Sequence, residues 1–154
     1  MTWLSKILLL QVLLLTNSCT GNILWHSYAN VDADGWHDYD TVSFDLPETF
    51  AEGKYSMDIE LRTTPAYPYS NLCIVRQMKF SNPAGTHRDT ILIHTSDDGQ
   101  SLTGRGTTLQ SFAQPAPDFH LSKGQRVSIL LYHAMTCGTV PDVTDIGIKV
   151  KARE

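Results

Sequence analysis

The side chains that could carry out chemistry are spread along the chain without the spacing that a catalytic or metal site needs. No two of the six histidines have the close spacing of a zinc pair; they are His26, His37, His87, His94, His120 and His133. The sequence contains no nucleophile-elbow motif, and Gly104-Arg105-Gly106 lacks the following helix that a phosphate loop needs. We therefore predict a non-catalytic protein with no cofactor and no metal site.

Asp58 and Glu60 are two carboxylates on one face of a predicted strand. Such a pair is usually solvated surface, although the two carboxylates of a glycosidase can come from any two strands. We interpret these residues as surface charges, and the glycosidase alternative stays open.

The N-terminal residues have the pattern of an export signal that ends at a cysteine. Lys6 supplies a positive charge, and residues 7–15 are apolar apart from one glutamine. This run is too short to cross a bilayer as a helix, which takes about 20 residues, but it suits the apolar region of a secretory signal. Ser18 and then Cys19 follow, as at the end of a lipoprotein signal.

We therefore predict a signal peptide over residues 1–18 and lipidation of Cys19. Several acyl chains on one residue hold a protein stably at a bilayer, since each buried CH₂ contributes about 0.8 kcal/mol. The alternatives are a short buried helix, or a secreted protein with a spare thiol.

Two further cysteines, Cys73 and Cys137, remain if Cys19 is modified. Export would place them in an oxidising compartment, where two thiols can pair. They are a candidate disulfide, and the alternative is that both pack as small hydrophobic residues.

Two prolines mark a rigid aromatic corner between two predicted strands. Pro65 and Pro68 prevent a regular ladder, because each ring removes a backbone donor and fixes φ. We predict that a partner protein contacts this corner or an exposed strand edge. The candidate contact residues are Tyr67, Tyr69, Asn71 and Trp36.

The aromatic residues leave a second class of function open. Five of them could line a sugar-stacking surface, and they are Trp25, Trp36, Tyr39, Tyr67 and Tyr69. We favour core packing for these rings, since large aromatics dominate the cores of small β domains. A carbohydrate-binding lipoprotein of the cell envelope, with a glycan as partner, is the alternative function.

Short alternating runs separated by turn signals predict an all-β fold. In residues 54–63 the apolar side chains point one way and the polar side chains the other, which indicates an antiparallel strand over a core. Further strands are predicted at residues 40–46, 72–80, 88–95, 127–133 and 146–150. Residues 23–31 fit a first strand or an ordered tether, residues 102–112 a weak edge strand, and residues 114–117 a loop.

Seven or eight such strands and no amphipathic helix predict a single antiparallel β-sandwich, with jelly-roll connections as one option and a β-barrel as the weaker alternative. We divide the chain into the signal peptide at 1–18, a lipidated N-terminus with a tether or first strand at 19–34, and the sandwich domain at 35–154. The net charge of −4 without a basic patch disfavours binding to nucleic acid.

Taken in order, these features resemble the gliding motility lipoprotein GldH family of the Bacteroidetes. The resemblance covers nearly the whole chain, and its motifs after Cys19 are Trp36-x-x-Tyr39-Asp40-Thr41-Val42-x-Phe44, Tyr55-x-Met57-x-Ile59-x-Leu61-Arg62, Tyr67-Pro68-Tyr69-Ser70-Asn71-Leu72 and Asp142-Val143-x-Asp145-Ile146-Gly147-Ile148. It implies a palmitate-bearing lipoprotein of the outer membrane that faces the periplasm. Its partners would be envelope or motility proteins, and no catalytic residue is assigned to that family.

Overall fold

Two antiparallel sheets form the body of the molecule. The computed structural model describes residues 22–97 and 102–153, so the predicted signal peptide and Cys19 lie outside the described residues. The strands are β1 (Ile23–Asn30), β2 (Trp36–His37), β3 (Val42–Asp45), β4 (Gly53–Thr63), β5 (Asn71–Phe80), β6 (Gly85–His94), β7 (Gln110–Leu121), β8 (Val127–His133), β9 (Thr139–Val140) and β10 (Val143–Arg153).

The strand order is that of a jelly roll. One sheet has the order β1-β10-β4-β7, the other has the order β3-β8-β5-β6, and the two-residue strands β2 and β9 pair with each other. When β2 and β9 are left out and the remaining strands are renumbered in chain order, the sheets read 1-8-3-6 and 2-7-4-5. This arrangement of two interleaved Greek keys is a jelly roll. The predicted all-β sandwich is confirmed.

The core lies between the two sheets and is built from the inward side of each strand. Met57, Ile59 and Leu61 of β4 are almost fully buried, as the alternation in this segment predicted. The strand predicted at 127–133 is confirmed as β8, which lies between β3 and β5. The ring of Trp25 on β1 meets the ring of Phe44 on β3 edge-on at 6.2 Å and joins the sheets along one side.

The prediction of a loop at 114–117 is wrong, because these residues belong to β7. Strand β7 is at the edge of its sheet, where a proline can face away from the neighbouring strand and no ladder hydrogen bond is lost. The pairing with β4 also shifts between Tyr55 and Met57, which accommodates a bulge beside Pro117. The edge strand begins at Gln110, and residues 102–109 contribute isolated bridges instead of a regular strand.

The sandwich has two ends that differ in their connections. Strand β1 begins beside the end of β10 and the start of β4, since Ile23 pairs with Lys151 and Arg153 pairs with Lys54. We call this the N-terminal end. The corner between β4 and β5 lies at the opposite end, which we call the far end. The eleven residues of β4 separate the two ends by roughly 35 Å at ~3.4 Å per residue.

Candidate functional site

The proline corner at the far end is held by Tyr67. Its ring is buried, and its hydroxyl donates a hydrogen bond to the carbonyl of Asn71 at 3.0 Å. Burial is the main cause of the raised pKa of the Tyr67 phenol. Tyr67 thus fastens the corner to the first residue of β5 and is not available to a partner.

Tyr69 occupies the accessible side of the same corner. Its ring meets the ring of Tyr67 edge-on at 5.7 Å, and it is half-buried. A hydrogen bond with the thiol of Cys137 is the main cause of the raised pKa of Tyr69. The exposed residues around it are Pro65, Ala66, Pro68 and Ser70. The corner therefore presents Tyr69 with a rim of small and proline residues.

Trp36 is buried at the far end and is not a surface residue. Its indole N–H donates a hydrogen bond to the carbonyl of Asp40 at 3.2 Å, and its ring lies edge-on to His133 at 5.7 Å. Burial lowers the pKa of His133, which keeps this imidazole neutral. We correct the candidate contact set accordingly: Tyr67 supports the corner from within and Trp36 is buried against His133, while Tyr69 and the half-exposed Asn71 remain at the surface.

The five aromatic rings do not share one surface. Trp36 and Tyr67 are buried, and Trp25 packs against Phe44. Tyr39 is exposed, with its ring stacked on the imidazole of His37 at 5.0 Å. The expectation of core packing is thus confirmed for Trp36 and Tyr67.

Cys73 and Cys137 are both free and half-buried. The backbone N–H of Cys73 donates to the sulfur of Met135 at 3.4 Å, whereas Cys137 adjoins Tyr69. Their pairing stays a prediction. Among residues 22–97 and 102–153, no group of three His, Cys, Asp or Glu side chains is placed to hold a metal ion.

The loops of the far end carry negative charge that basic side chains do not neutralise. Five of the aspartates there are Asp32, Asp34, Asp38, Asp40 and Asp142. Within the described part of the chain none of these five forms an ion pair with a lysine or arginine. These loops are therefore acidic, and Asp142 adjoins the corner, where it accepts a hydrogen bond from Thr64 at 2.6 Å.

A second cluster, which the sequence did not predict, lies on the outer face of the first sheet. Tyr28, Gly147, Glu60 and Ala113 occupy one row across β1, β10, β4 and β7. Glu60 is only 5% exposed, although its position in the alternation is on the solvent side. Side chains of β1 and β10 cover it: His26 and Tyr28 from β1, and Lys149 from β10.

Three donors hold the Glu60 carboxylate. The hydroxyl of Tyr28 and the ammonium group of Lys149 each donate a hydrogen bond to it, and the imidazole of His26 lies 2.6 Å from it. Burial opposes ionisation of Glu60, but these hydrogen bonds outweigh burial and hold the pKa of Glu60 below its ordinary value. A carboxylate held in this way is not a proton donor near neutral pH.

Gly147 is what allows Tyr28 to reach Glu60. A Cβ on Gly147 would lie 2.6 Å from the Tyr28 ring, so only glycine lets this ring cross β10. The guanidinium of Arg62 lies 3.8 Å from the centre of the same ring, which is a cation–π contact. Burial and the hydrogen bond to Glu60 raise the pKa of Tyr28 to about 12.

The Glu60 cluster forms the floor of an open groove with a volume of about 750 Å³. Asp58 and Lys151 extend the floor and form an ion pair at 2.9 Å. His94, Thr103 and Arg105 line the groove as well. The lining is polar and carries both signs of charge, and its acids and lysines are already paired with each other.

Sequence reasoning missed this cluster because alternation shows which face of the sheet a residue lies on, but not whether side chains of neighbouring strands cover it. A signal was present in Gly147, a glycine inside a strongly apolar strand pattern, which often marks the close approach of another group.

No helix in the described ranges is long and apolar enough to cross a bilayer.

Comparisons with known proteins agree with the resemblance noted from the sequence. The family model described as GldH lipoprotein matches residues 24–150. The gliding motility lipoprotein GldH of Flavobacterium johnsoniae is 33% identical over 159 aligned positions, which cover 97% of this chain and 97% of that protein.

Solved structures give only weak likenesses. The module CBM35 from Cellvibrio japonicus Abf62 is 12% identical and matches 89% of this chain and 94% of its own, with a TM-score of 0.37. A fructofuranosidase from Schwanniomyces occidentalis is 8% identical and matches 86% of this chain and 34% of its own, with a TM-score of 0.36. Scores at this level support no statement about function.

Proposed function

Since this chain belongs to the GldH lipoprotein family, we propose that it is a lipid-anchored, non-catalytic component of the gliding motility machinery that works by binding another envelope protein. The observation that carries the proposal is the match to the Flavobacterium johnsoniae protein along 97% of both chains. A match of that extent leaves only about 3% of this chain outside it, so it includes most of the predicted signal and most of the sandwich.

The proposed anchor is Cys19, acylated after export. Ile23 begins β1 only four positions later, so the anchor joins the N-terminal end of the sandwich. We place the protein at the outer membrane, facing the periplasm, as the family resemblance implies. The lipid would hold it there, while the folded domain meets its partner.

The proposed partner surface is the proline corner at the far end. Tyr69 and Asn71 are accessible there, and Tyr67 and Trp36 hold the loops from within. A rigid surface loses little conformational entropy when it binds. The neighbouring aspartates favour a partner with exposed lysines or arginines, so the contact should weaken as salt is added.

The test is site-specific photo-crosslinking in intact cells. A photoreactive phenylalanine analogue replaces Ala66, which is exposed in the corner, and in a matched control it replaces Leu92, which is exposed on β6. The expected result is a cross-link to one exported envelope protein from position 66 and not from position 92. No cross-link from position 66, or the same products from both positions, would overturn this contact surface.

A further inference from the structure

The N-terminal end of the sandwich carries apolar side chains that the fold leaves uncovered. Ile23 and Leu24 are 51% and 43% exposed, which places them among the most exposed large hydrophobic residues of the described chain. Leu24 also lines an open, largely apolar groove of about 450 Å³ together with Phe50, Ala51, Tyr55 and Ala152. Two adjacent exposed residues beside an apolar groove form a patch of the kind that marks an interaction surface.

The length of chain between this patch and the anchor limits what can cover it. Cys19 and Ile23 are four Cα–Cα steps apart, which span at most about 15 Å at ~3.8 Å per step. If acyl chains on Cys19 lie in a bilayer, Ile23 cannot be further than this from the membrane interface. A longer tether would let the domain move freely, but this one keeps the N-terminal end at the headgroups.

The polar residues at the rim of the groove are compatible with a position at the lipid headgroups. Lys54 and Arg153 are exposed there, and both pair with Asp118, at 3.3 Å and 2.8 Å. Long basic side chains can lay their stems along apolar surface and carry the charge to phosphate level. Glu52 is exposed at the same rim, so the patch is apolar at its centre, with side chains of both charges at its edge.

We propose that the N-terminal end of the sandwich is a membrane-contact surface, with Ile23 and Leu24 in the lipid interface and Lys54 and Arg153 at the phosphates. The inference rests on the proposed anchor at Cys19. It adds that the folded domain itself touches lipid in a fixed orientation, and that the far end points away from the bilayer.

The experiment uses the full chain, processed and acylated in cells and then reconstituted into vesicles of phosphatidylethanolamine and phosphatidylglycerol that contain a diazirine-bearing phospholipid. After illumination, lipid adducts are mapped by mass spectrometry. Adducts are expected at residues 23–24, 50–55 and 152–153 and not at residues 65–70 of the far end.

Leu24→Asp should lower the yield of adducts at the N-terminal end several-fold. The matched control is Leu92→Asp, because Leu92 is also 43% exposed but lies on β6, away from the patch. This control should leave the yield unchanged. Circular dichroism and the urea midpoint of each variant show whether it is folded.

The outcomes separate the inference from the proposed function. Acylated Cys19 with adducts spread over the whole surface, or with no adducts at residues 23–24, overturns the membrane contact and leaves the anchor in place. An unmodified Cys19 overturns the anchor. In that case adducts at residues 23–24 in the vesicle-bound fraction still support the contact, and their absence overturns it as well.

Discussion

Glu60 lies on the solvent-facing side of β4, but neighbouring side chains cover it and leave it only 5% exposed. Its carboxylate receives hydrogen bonds from Tyr28 and Lys149 and lies beside His26. A charge in this position stabilises the fold only while its partners are present, because an unpaired charged group that is largely removed from water is costly.

Glu60→Gln should therefore lower the free energy of unfolding by about 1–3 kcal/mol, since Lys149 loses its carboxylate partner. Urea unfolding followed by circular dichroism measures this change. The control is Glu48→Gln, which removes an exposed ion pair with Arg126 and should cost no more than about 1 kcal/mol. Equal effects of the two substitutions would contradict the role assigned to Glu60.

The pKa of Glu60 also predicts how stability depends on pH. The folded-state pKa is lowered, so the unfolded chain binds more protons at acidic pH than the folded chain does. The contribution of Glu60 is fully present above the ordinary carboxyl pKa and is lost as the pH falls through the folded-state value. Between pH 7 and pH 3 the wild type should therefore lose more stability than Glu60→Gln, as urea titrations at several pH values would show. A parallel decline of both proteins would argue against this sign.

Gly147 is predicted to be a position that tolerates no side chain. Gly147→Ala places a methyl group against the Tyr28 ring and the strand below it, so Tyr28 must move away from Arg62 and Glu60. We expect a loss of about 1–3 kcal/mol in unfolding free energy, as for other overpacked sites. Gly138→Ala, which faces open space, should change stability by at most about 1 kcal/mol. A tolerated Gly147→Ala would mean that the Tyr28 ring does not need this approach.

At the scale of elements, one buried arginine connects both sheets. The guanidinium of Arg76 on β5 is fully buried and pairs with Asp89 on β6. It also donates to the carbonyl of Pro117 on β7, at 3.0 Å, and contacts the sulfur of Met57 on β4, at 3.7 Å. This side chain therefore holds the side of the sandwich where β6 and β7 meet.

A double-mutant cycle tests this connection. Asp89→Ala should cost about 3–5 kcal/mol, because it leaves the buried guanidinium of Arg76 without its carboxylate. Arg76→Met should cost less, about 1–3 kcal/mol, because Asp89 is only partly buried and keeps its pair with His87. The double variant should cost clearly less than the sum, since no unpaired charge remains. Arg88→Met, which loses only a surface hydrogen bond to Gln77, should cost about 0.5 kcal/mol or less. Costs that add in the double variant would contradict the coupling.

Alternation predicted most strands, and particular residues explain where it failed. Residues 127–133 were predicted with the observed bounds of β8, and the inward side of β4 was predicted residue by residue. Strand β7 was missed because Pro115 and Pro117 exclude only a central strand, and edge position depends on the order of strands in the sheet. The partners of Glu60 were missed for the same reason, since His26 and Lys149 come beside it only through the pairing of β1, β10 and β4.

The corner was predicted only in part, because the sequence showed where the chain turns but not which aromatic side chains are buried. Pro65 and Pro68 revealed the break between β4 and β5, but not which tyrosine enters the core. Burial of Tyr67 and Trp36 follows from the loops that pack over them at the far end, and no local pattern in the sequence reports that.

At the scale of the whole molecule, the two ends of the sandwich have different roles in this account. The N-terminal end continues into Cys19 and carries Ile23 and Leu24 on its surface. The far end, roughly 35 Å away at ~3.4 Å per residue along β4, carries the acidic loops and the corner around Tyr69. A lipid at one end and a partner at the other would let the domain hold an envelope protein at a fixed distance from the membrane.

Incorporation of labelled palmitate into the full chain tests the lipid anchor at the centre of this account most directly. The wild type and Cys19→Ala are expressed in a bacterium that exports lipoproteins, and the label in each is compared after the membranes are isolated. We expect label in the wild type and none in Cys19→Ala, which should also leave the membrane fraction. An unlabelled wild type, or equal label in both proteins, would contradict the lipid anchor.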